Sequence, residues 1–167
     1  MSSDWGPLLT LIVLLVLANG GPALLALLVG RAGAAPIDGG RVWRDGYPVF
    51  GPSKTWRGLA AALLLTPVAA WALGCGWVLG VMVALAAMAG DLLVSFTKRR
   101  MRLLSGTSVP VVDQLPEALI PALLARPALG LDWLDLALAV GAFVALNLVL
   151  TPVGKWFAGP DSGRTGR

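Results

Sequence analysis

Apolar residues along this chain fall into long runs, separated by tight turns and by two long polar segments. A bilayer core of about 30 Å takes about 20 apolar residues of helix. Leu8–Val29 is the first run, interrupted only by Asn19, Gly20, Gly21 and Pro22. Leu59–Leu73 and Trp77–Phe96 follow, divided by the turn Gly74-Cys75-Gly76, and Trp133–Thr151 is a fourth clear run. Leu115–Leu131 is weaker, carrying Pro116, Glu117, Pro121, Arg126 and Pro127. It counts as a helix, because without it the two flanking polar segments would face opposite sides of the membrane. The pattern predicts an all-α, multi-pass membrane protein with five spans. Asn19 to Pro22 predicts a break in the first helix, with freed carbonyls facing protein or a wet cavity. Residues 1–160 read as one membrane-embedded domain, and 161–167 as a short polar tail expected to be disordered.

Composition sharpens this picture. The chain has 167 residues, 57% hydrophobic and 13% charged, where soluble domains carry about 25% charged residues. That excludes an ordinary water-soluble enzyme. It has no histidine, and its one cysteine is Cys75. Zinc sites of the His/Cys type, Ser–His–Asp triads, Cys–His pairs and internal disulfides are therefore excluded. Any chemistry falls to carboxylates, amines, guanidinium groups, hydroxyls and a hard metal.

Charge gives orientation. Segment 30–58 holds Arg31, Arg41, Arg44, Lys54 and Arg57, and segment 97–114 holds Lys98, Arg99, Arg100 and Arg102. With Lys155, Arg164 and Arg167 in the tail, 12 of 13 basic residues share one side of a five-span arrangement. By the positive-inside rule the N-terminus lies outside, and both long loops and the C-terminus face the cytoplasm of the inner or plasma membrane. The net charge of +4 is then a topology signal, and nucleic-acid binding has no separate support. The first run lacks a basic n-region, and its 22 residues exceed the about 7–15 of a secretory h-region, so it reads as a span. Trp5, Trp77 and Trp133 outside, with Trp156 inside, read as interfacial anchors.

The two long loops are where function concentrates. The first, Pro36 to Leu59, mixes glycine and proline with Asp38, Lys54, Thr55 and Arg57. Glycines let backbone N–H groups approach an anion, and Lys54 with Arg57 would neutralise phosphates. Gly51-Pro52-Ser53-Lys54-Thr55 lacks P-loop spacing; the plainer alternative is a positive-inside loop with turn glycines. Asp91 is more specific, because a carboxylate inside an apolar run is costly and usually marks function. Ser95 and Lys98 share its helical face, and Glu117 stands four residues after Asp113. Asp91, Asp113 and Glu117 would meet at the cytoplasmic boundary among Lys98, Arg99, Arg100 and Arg102. Such carboxylates suit Mg²⁺, and the neighbouring cations suit a phosphate-bearing substrate. The alternative is that Asp91 only pairs with Lys98 or Arg99 while Glu117 snorkels.

Asn19…Pro22, Pro36-Ile37-Asp38, GPSKTWRGL (51–59), GDLLVSFTKRR (90–100), Pro110 and Asp113-Gln114-Leu115 occur in this order along nearly the whole chain. This pattern resembles the CDP-archaeol synthases, within the phosphatidate cytidylyltransferase superfamily. The resemblance implies transfer of CMP from CTP to a membrane lipid phosphate, with Mg²⁺, at the cytoplasmic surface. It implies Asp91 and Asp113 as metal ligands, with Glu117 a third. It also implies Lys54, Arg57, Lys98 and Arg99 on the triphosphate, and hydrogen bonds from Ser53, Thr55 and Ser95. Asn19, Asp38 and Gln114 enter as substrate-site residues through the same motifs. Where the family usually has a second aspartate after Asp113-Gln114-Leu115, this chain has Pro116-Glu117; the stretch 103–109 lacks the usual proline-glycine. Two rivals remain open: a CTP-dependent lipid kinase, which would release CDP, and a small transporter or assembly factor. Oligomeric state and the lipid's identity are not legible.

Overall fold

The computed structural model describes residues 5–30, 32–105, 107 and 111–158, with side chains to residue 150. Five helices follow one another: α1 (Trp5–Val29), α2 (Trp56–Ala72), α3 (Trp77–Arg100), α4 (Gln114–Leu129) and α5 (Trp133–Ala158). Each matches one predicted apolar run. The side chains of Lys155 and Trp156, and the polar tail, lie outside the described residues.

The expected break in α1 is absent. The helix runs unbroken through Pro22. Asn19 turns its amide back on its own helix, donating from Nδ2 to the Leu15 carbonyl at 3.0 Å. Pro22 removes a single N–H, which a long, packed helix tolerates.

α1 packs against each of the other helices, and α3 is the more deeply buried of the two. Leu11, Leu14 and Leu15 of α1, Val83 of α3 and Phe143 of α5 are fully buried, with Ala118, Ala122 and Ala125 of α4 beside them. Leu24, Leu64, Val68, Leu85, Leu93 and Val149 point outward and are exposed. The outside is thus as apolar as the core. Lipid supplies no hydrophobic drive between helices, so close packing of small residues must hold them. Two glycines of α3 are such contacts. A Cβ on Gly80 would lie 2.7 Å from the Thr66 carbonyl oxygen of α2, and one on Gly90 would lie 2.6 Å from the Pro116 carbonyl oxygen of α4.

Three segments, Trp5–Val29, Trp77–Arg100 and Trp133–Leu150, are long and apolar enough to cross a membrane. α2 and α4 have 17 and 16 residues. At 1.5 Å per residue they rise only about 24–26 Å. Both begin at the ends of the polar loops and pack against α3.

Candidate active site

The Gly90 notch builds the site. Because α3 and α4 touch backbone to backbone there, Asp91 on α3 comes against Glu117 on α4, and the two carboxyls are in hydrogen-bond contact. Lys54 reaches the same point from the first loop. Its Nζ donates to both Asp91 oxygens, at 2.5 and 2.6 Å, and each side chain keeps about a fifth of its surface exposed. Asp91 therefore pairs with Lys54, neither with Lys98 nor with Arg99. Lys98 is engaged elsewhere: it donates to Asp113 at 2.9 Å and to the Thr107 carbonyl at 3.0 Å. Asp113 stands at the N-cap of α4 without capping it, its carboxylate turned to Lys98.

A cavity of about 520 Å³ opens on Lys54, Asp91 and Glu117. Asn19, Ser53, Thr55 and Arg57 add polar groups to its lining, and Pro22, Ala23, Ala26, Leu59, Met88 and Leu92 add apolar ones. One concavity thus joins ionic groups to a surface continuous with the lipid-facing helices.

The loop carrying Lys54 is held by backbone accounting. Asp38 is buried and accepts from Gly40 N at 3.0 Å and from Phe50 N and Gly51 N at 2.9 Å each. Burial pushes its pKa up, but these N–H donors outweigh it and hold the carboxyl below its ordinary value of 3.8. Gly51 has φ 97°, a backbone conformation that suits glycine. Lys54 N donates to the Gly51 carbonyl at 3.2 Å, and Ile37 N to the Lys54 carbonyl at 2.8 Å. Thr55 then caps α2, its Oγ1 accepting from Gly58 N at 3.1 Å, which contributes about 1 kcal/mol.

The sequence-derived residues divide accordingly. Asn19, Ser53, Lys54, Thr55, Arg57, Asp91 and Glu117 share the cavity. The Arg57 guanidinium is spent partly on the carbonyls of Gly30 and Ala32, fastening the end of α1. Asp38, Ser95, Lys98, Arg99, Asp113 and Gln114 do not line the cavity. Ser95, Arg99 and Gln114 are buried. Arg99 donates to the Leu103 carbonyl, and its Nε has no hydrogen-bond partner among the described residues. Among the described residues no three acidic, cysteine or histidine side chains form a ready-made metal cage. Asp91 and Glu117 touch, whereas Asp113 sits one step away and acts on Glu117 through its charge. Sequence reasoning missed Asp45, Trp43 and Phe50, which meet Phe96 and Arg100 at the end of α3.

Comparison with known proteins points one way. The CarS-like family model, described as CDP-archaeol synthase, matches residues 7–154. The CDP-archaeol synthase of Thermococcus onnurineus is 36% identical over 152 residues, 84% of this chain and 81% of that protein. That of Hyperthermus butylicus is 41% identical over 104 residues, 59% of each chain. A solved structure described as an intramembrane enzyme for archaeal membrane lipids biosynthesis superposes with a TM-score of 0.68 at 32% identity, covering 86% of this chain and 92% of that one. Fold, motif order and family match agree: the chain is a membrane protein belonging to the CDP-archaeol synthase family of CTP-dependent lipid cytidylyltransferases.

Proposed function

We propose that this chain joins CTP to a membrane lipid phosphate within the Lys54–Asp91–Glu117 cavity, forming a CDP-activated lipid and pyrophosphate. The observation that supports this reading is that one cavity is lined by ionic and by apolar side chains together. Lys54 neutralises triphosphate oxygens, and the Ser53 and Thr55 hydroxyls donate hydrogen bonds to them. Arg57 adds positive charge at the rim while it holds Gly30 and Ala32. The lipid's chains lie along Ala23, Ala26, Leu59 and Leu92, which brings its phosphate to the polar end. A lipid phosphate oxygen attacks the α-phosphorus, the bond to the β-phosphate oxygen breaks, and pyrophosphate leaves. No general base is needed, because a phosphate monoester is already ionised at pH 7.

The donors also fit a hard cation. Asp91 and Glu117 bring carboxyl oxygens, the donors a hard cation takes, to one point beside the Lys54 ammonium. Asp91 and Glu117, joined by Asp113, would hold Mg²⁺, which when bound neutralises charge on the phosphates. Lys98 and Arg99 serve this site by fixing the second loop, through Thr107 and Leu103, beside Asp113. The excess of basic residues in both long loops supports a cavity that faces the cytoplasm at the plasma membrane.

The test is purified protein with labelled CTP, Mg²⁺ and a panel of diether, diacyl and polyprenyl phosphates. Formation of a CDP-lipid and pyrophosphate is expected. Release of CDP with a doubly phosphorylated lipid would instead make the protein a kinase.

A further inference from the structure

The loop that delivers Lys54 runs 26 residues from the end of α1 to the start of α2 without a helix. Loops of that length rarely hold a side chain in place by themselves. Arg100, the last residue of α3, supplies an anchor. Its Nη1 donates to Asp45 Oδ1 at 2.5 Å, and its Nη2 to the Pro48 carbonyl at 2.5 Å and the Tyr47 carbonyl at 3.4 Å. The same guanidinium lies 5.0 Å from the Phe96 ring centroid and 5.8 Å from that of Trp43. Trp43 meets Phe96 edge-on at 5.5 Å, and Phe50 meets it at 6.4 Å.

Each grip passes to the next along the chain. Trp43 N donates to the Tyr47 carbonyl at 2.7 Å and Val49 N to the Arg41 carbonyl at 3.1 Å, closing a small hairpin. Immediately beyond it, Phe50 and Gly51 bind Asp38, and Gly51 in turn receives Lys54 N. Arg100 itself does not line the cavity.

We propose that Arg100 is a positioning residue for the nucleotide site. It fastens the first loop to α3 and thereby sets Lys54 against Asp91. The nucleotide part of this proposal rests on the reading above. The role needs a planar fork and a stacking face together, so lysine replaces it poorly.

The experiment compares Arg100→Ala, Arg100→Lys, Asp45→Asn, Lys54→Met and the double variant Arg100→Ala/Lys54→Met. It measures CTP binding by calorimetry, the KM of each substrate, and amide hydrogen exchange over residues 43–51. Arg100→Ala should raise the CTP Kd and KM tenfold or more, while the lipid-phosphate KM stays within twofold. Exchange at residues 49–51 should quicken at least tenfold, with the protection of α1 and α3 unchanged. Arg100→Lys and Asp45→Asn should show smaller effects in the same direction, and they carry the test if Arg100→Ala does not fold. Because the effect runs through Lys54, Arg100→Ala should cost less than twofold further CTP affinity in the Lys54→Met background. A full additional tenfold loss there would mean that Arg100 touches the nucleotide itself, and would overturn the positioning role. Unchanged exchange over 43–51 would sink the clamp. That measurement needs no CTP, so it still decides if the parent protein fails to bind the nucleotide and the functional reading falls instead.

Discussion

The Lys54–Asp91 pair makes a quantitative prediction, because its two halves are not equivalent. At an effective dielectric of about 20, charges about 3 Å apart attract by about 5–6 kcal/mol. Partial desolvation of both ions cancels most of this, leaving a net contribution of about 1–2 kcal/mol. Asp91→Asn leaves the Lys54 ammonium on a flexible stem beside an open cavity, where it can turn to water, so the cost should be about 1–2 kcal/mol. Lys54→Met leaves Asp91 facing the Glu117 carboxyl without a cation. That strands a partly desolvated carboxylate without its cation, and its cost should exceed that of Asp91→Asn, at about 2–3 kcal/mol. The double variant Asp91→Asn/Lys54→Met removes both charges and should return to within about 1 kcal/mol of the parent. Thermal unfolding in detergent or nanodiscs measures this, at about 2–4 °C per kcal/mol for a chain of this size. Added Mg²⁺ or Mn²⁺ should raise the melting temperature of Lys54→Met more than that of the parent, since the cation replaces the lost ammonium. Turnover of CTP should vanish in Asp91→Asn and stay absent in the stabilised double variant, which separates chemistry from folding. Near-parent turnover in Asp91→Asn with saturating Mg²⁺ would refute the site. A Lys54→Met protein as stable as Asp91→Asn would refute the geometry behind it.

Gly90→Ala should destabilise by about 1–3 kcal/mol and also weaken cation binding, because α4 must move and carry Glu117 away from Asp91. Gly80→Ala, against α2 and far from the cavity, should cost similar stability with normal turnover per folded molecule; equal loss of turnover in both would break the argument. Asp38 has its pKa depressed in the folded protein, so its stabilising contribution is present above about pH 4 and is lost as pH falls through the folded value. Asp38→Asn should therefore lower stability at pH 6–7 by about 1–3 kcal/mol and flatten the acid limb below pH 4, as read by pH-dependent unfolding. For orientation, in a Cys75→Ser background, a cysteine at Asp132 should react with an impermeant thiol reagent from outside intact cells, and one at Ser105 should not; the reverse pattern would invert the topology.

The helices were legible because lipid imposes a length rule, and apolar runs obey it whatever their packing. Even α4, with its prolines and Glu117, emerged from the requirement that both polar loops share a side. The break in α1 was misjudged for a local reason: Asn19 satisfies its amide on Leu15, so the polar residue and proline together do not unwind the helix. Asp91 was legible because a carboxylate in an apolar run has few innocent explanations. Its partner was not. Helical spacing pointed to Lys98, seven residues on, whereas the structure brings in Lys54 from 37 residues before. The same distance hid Asp45 and Arg100, which are 55 residues apart and ordinary members of two basic loops when read in sequence.

Cations in and beside the two long loops therefore do two kinds of work that composition cannot separate. Arg57, Arg99 and Arg100 spend guanidinium donors on backbone carbonyls of Gly30, Leu103 and Pro48, satisfying helix ends and loops near the bilayer where water is scarce. Among the described residues Lys54 instead gives its side-chain hydrogen bonds to a carboxylate alone, Asp91. Lys98 divides its own between Asp113 and the Thr107 carbonyl, and Arg100 adds Asp45 to its carbonyls. The division follows the chemistry of the two side chains. A guanidinium fork can bind several fixed carbonyls at once and stays charged, which suits scaffolding. An ammonium on a flexible stem can leave one anion for another, which suits the phosphate-binding role proposed for Lys54. On this argument Lys54 is the exchangeable charge of the cavity, and Lys98 and the arginines are its frame. Replacing Lys54 by arginine should then preserve fold stability better than methionine does, yet fail to restore turnover.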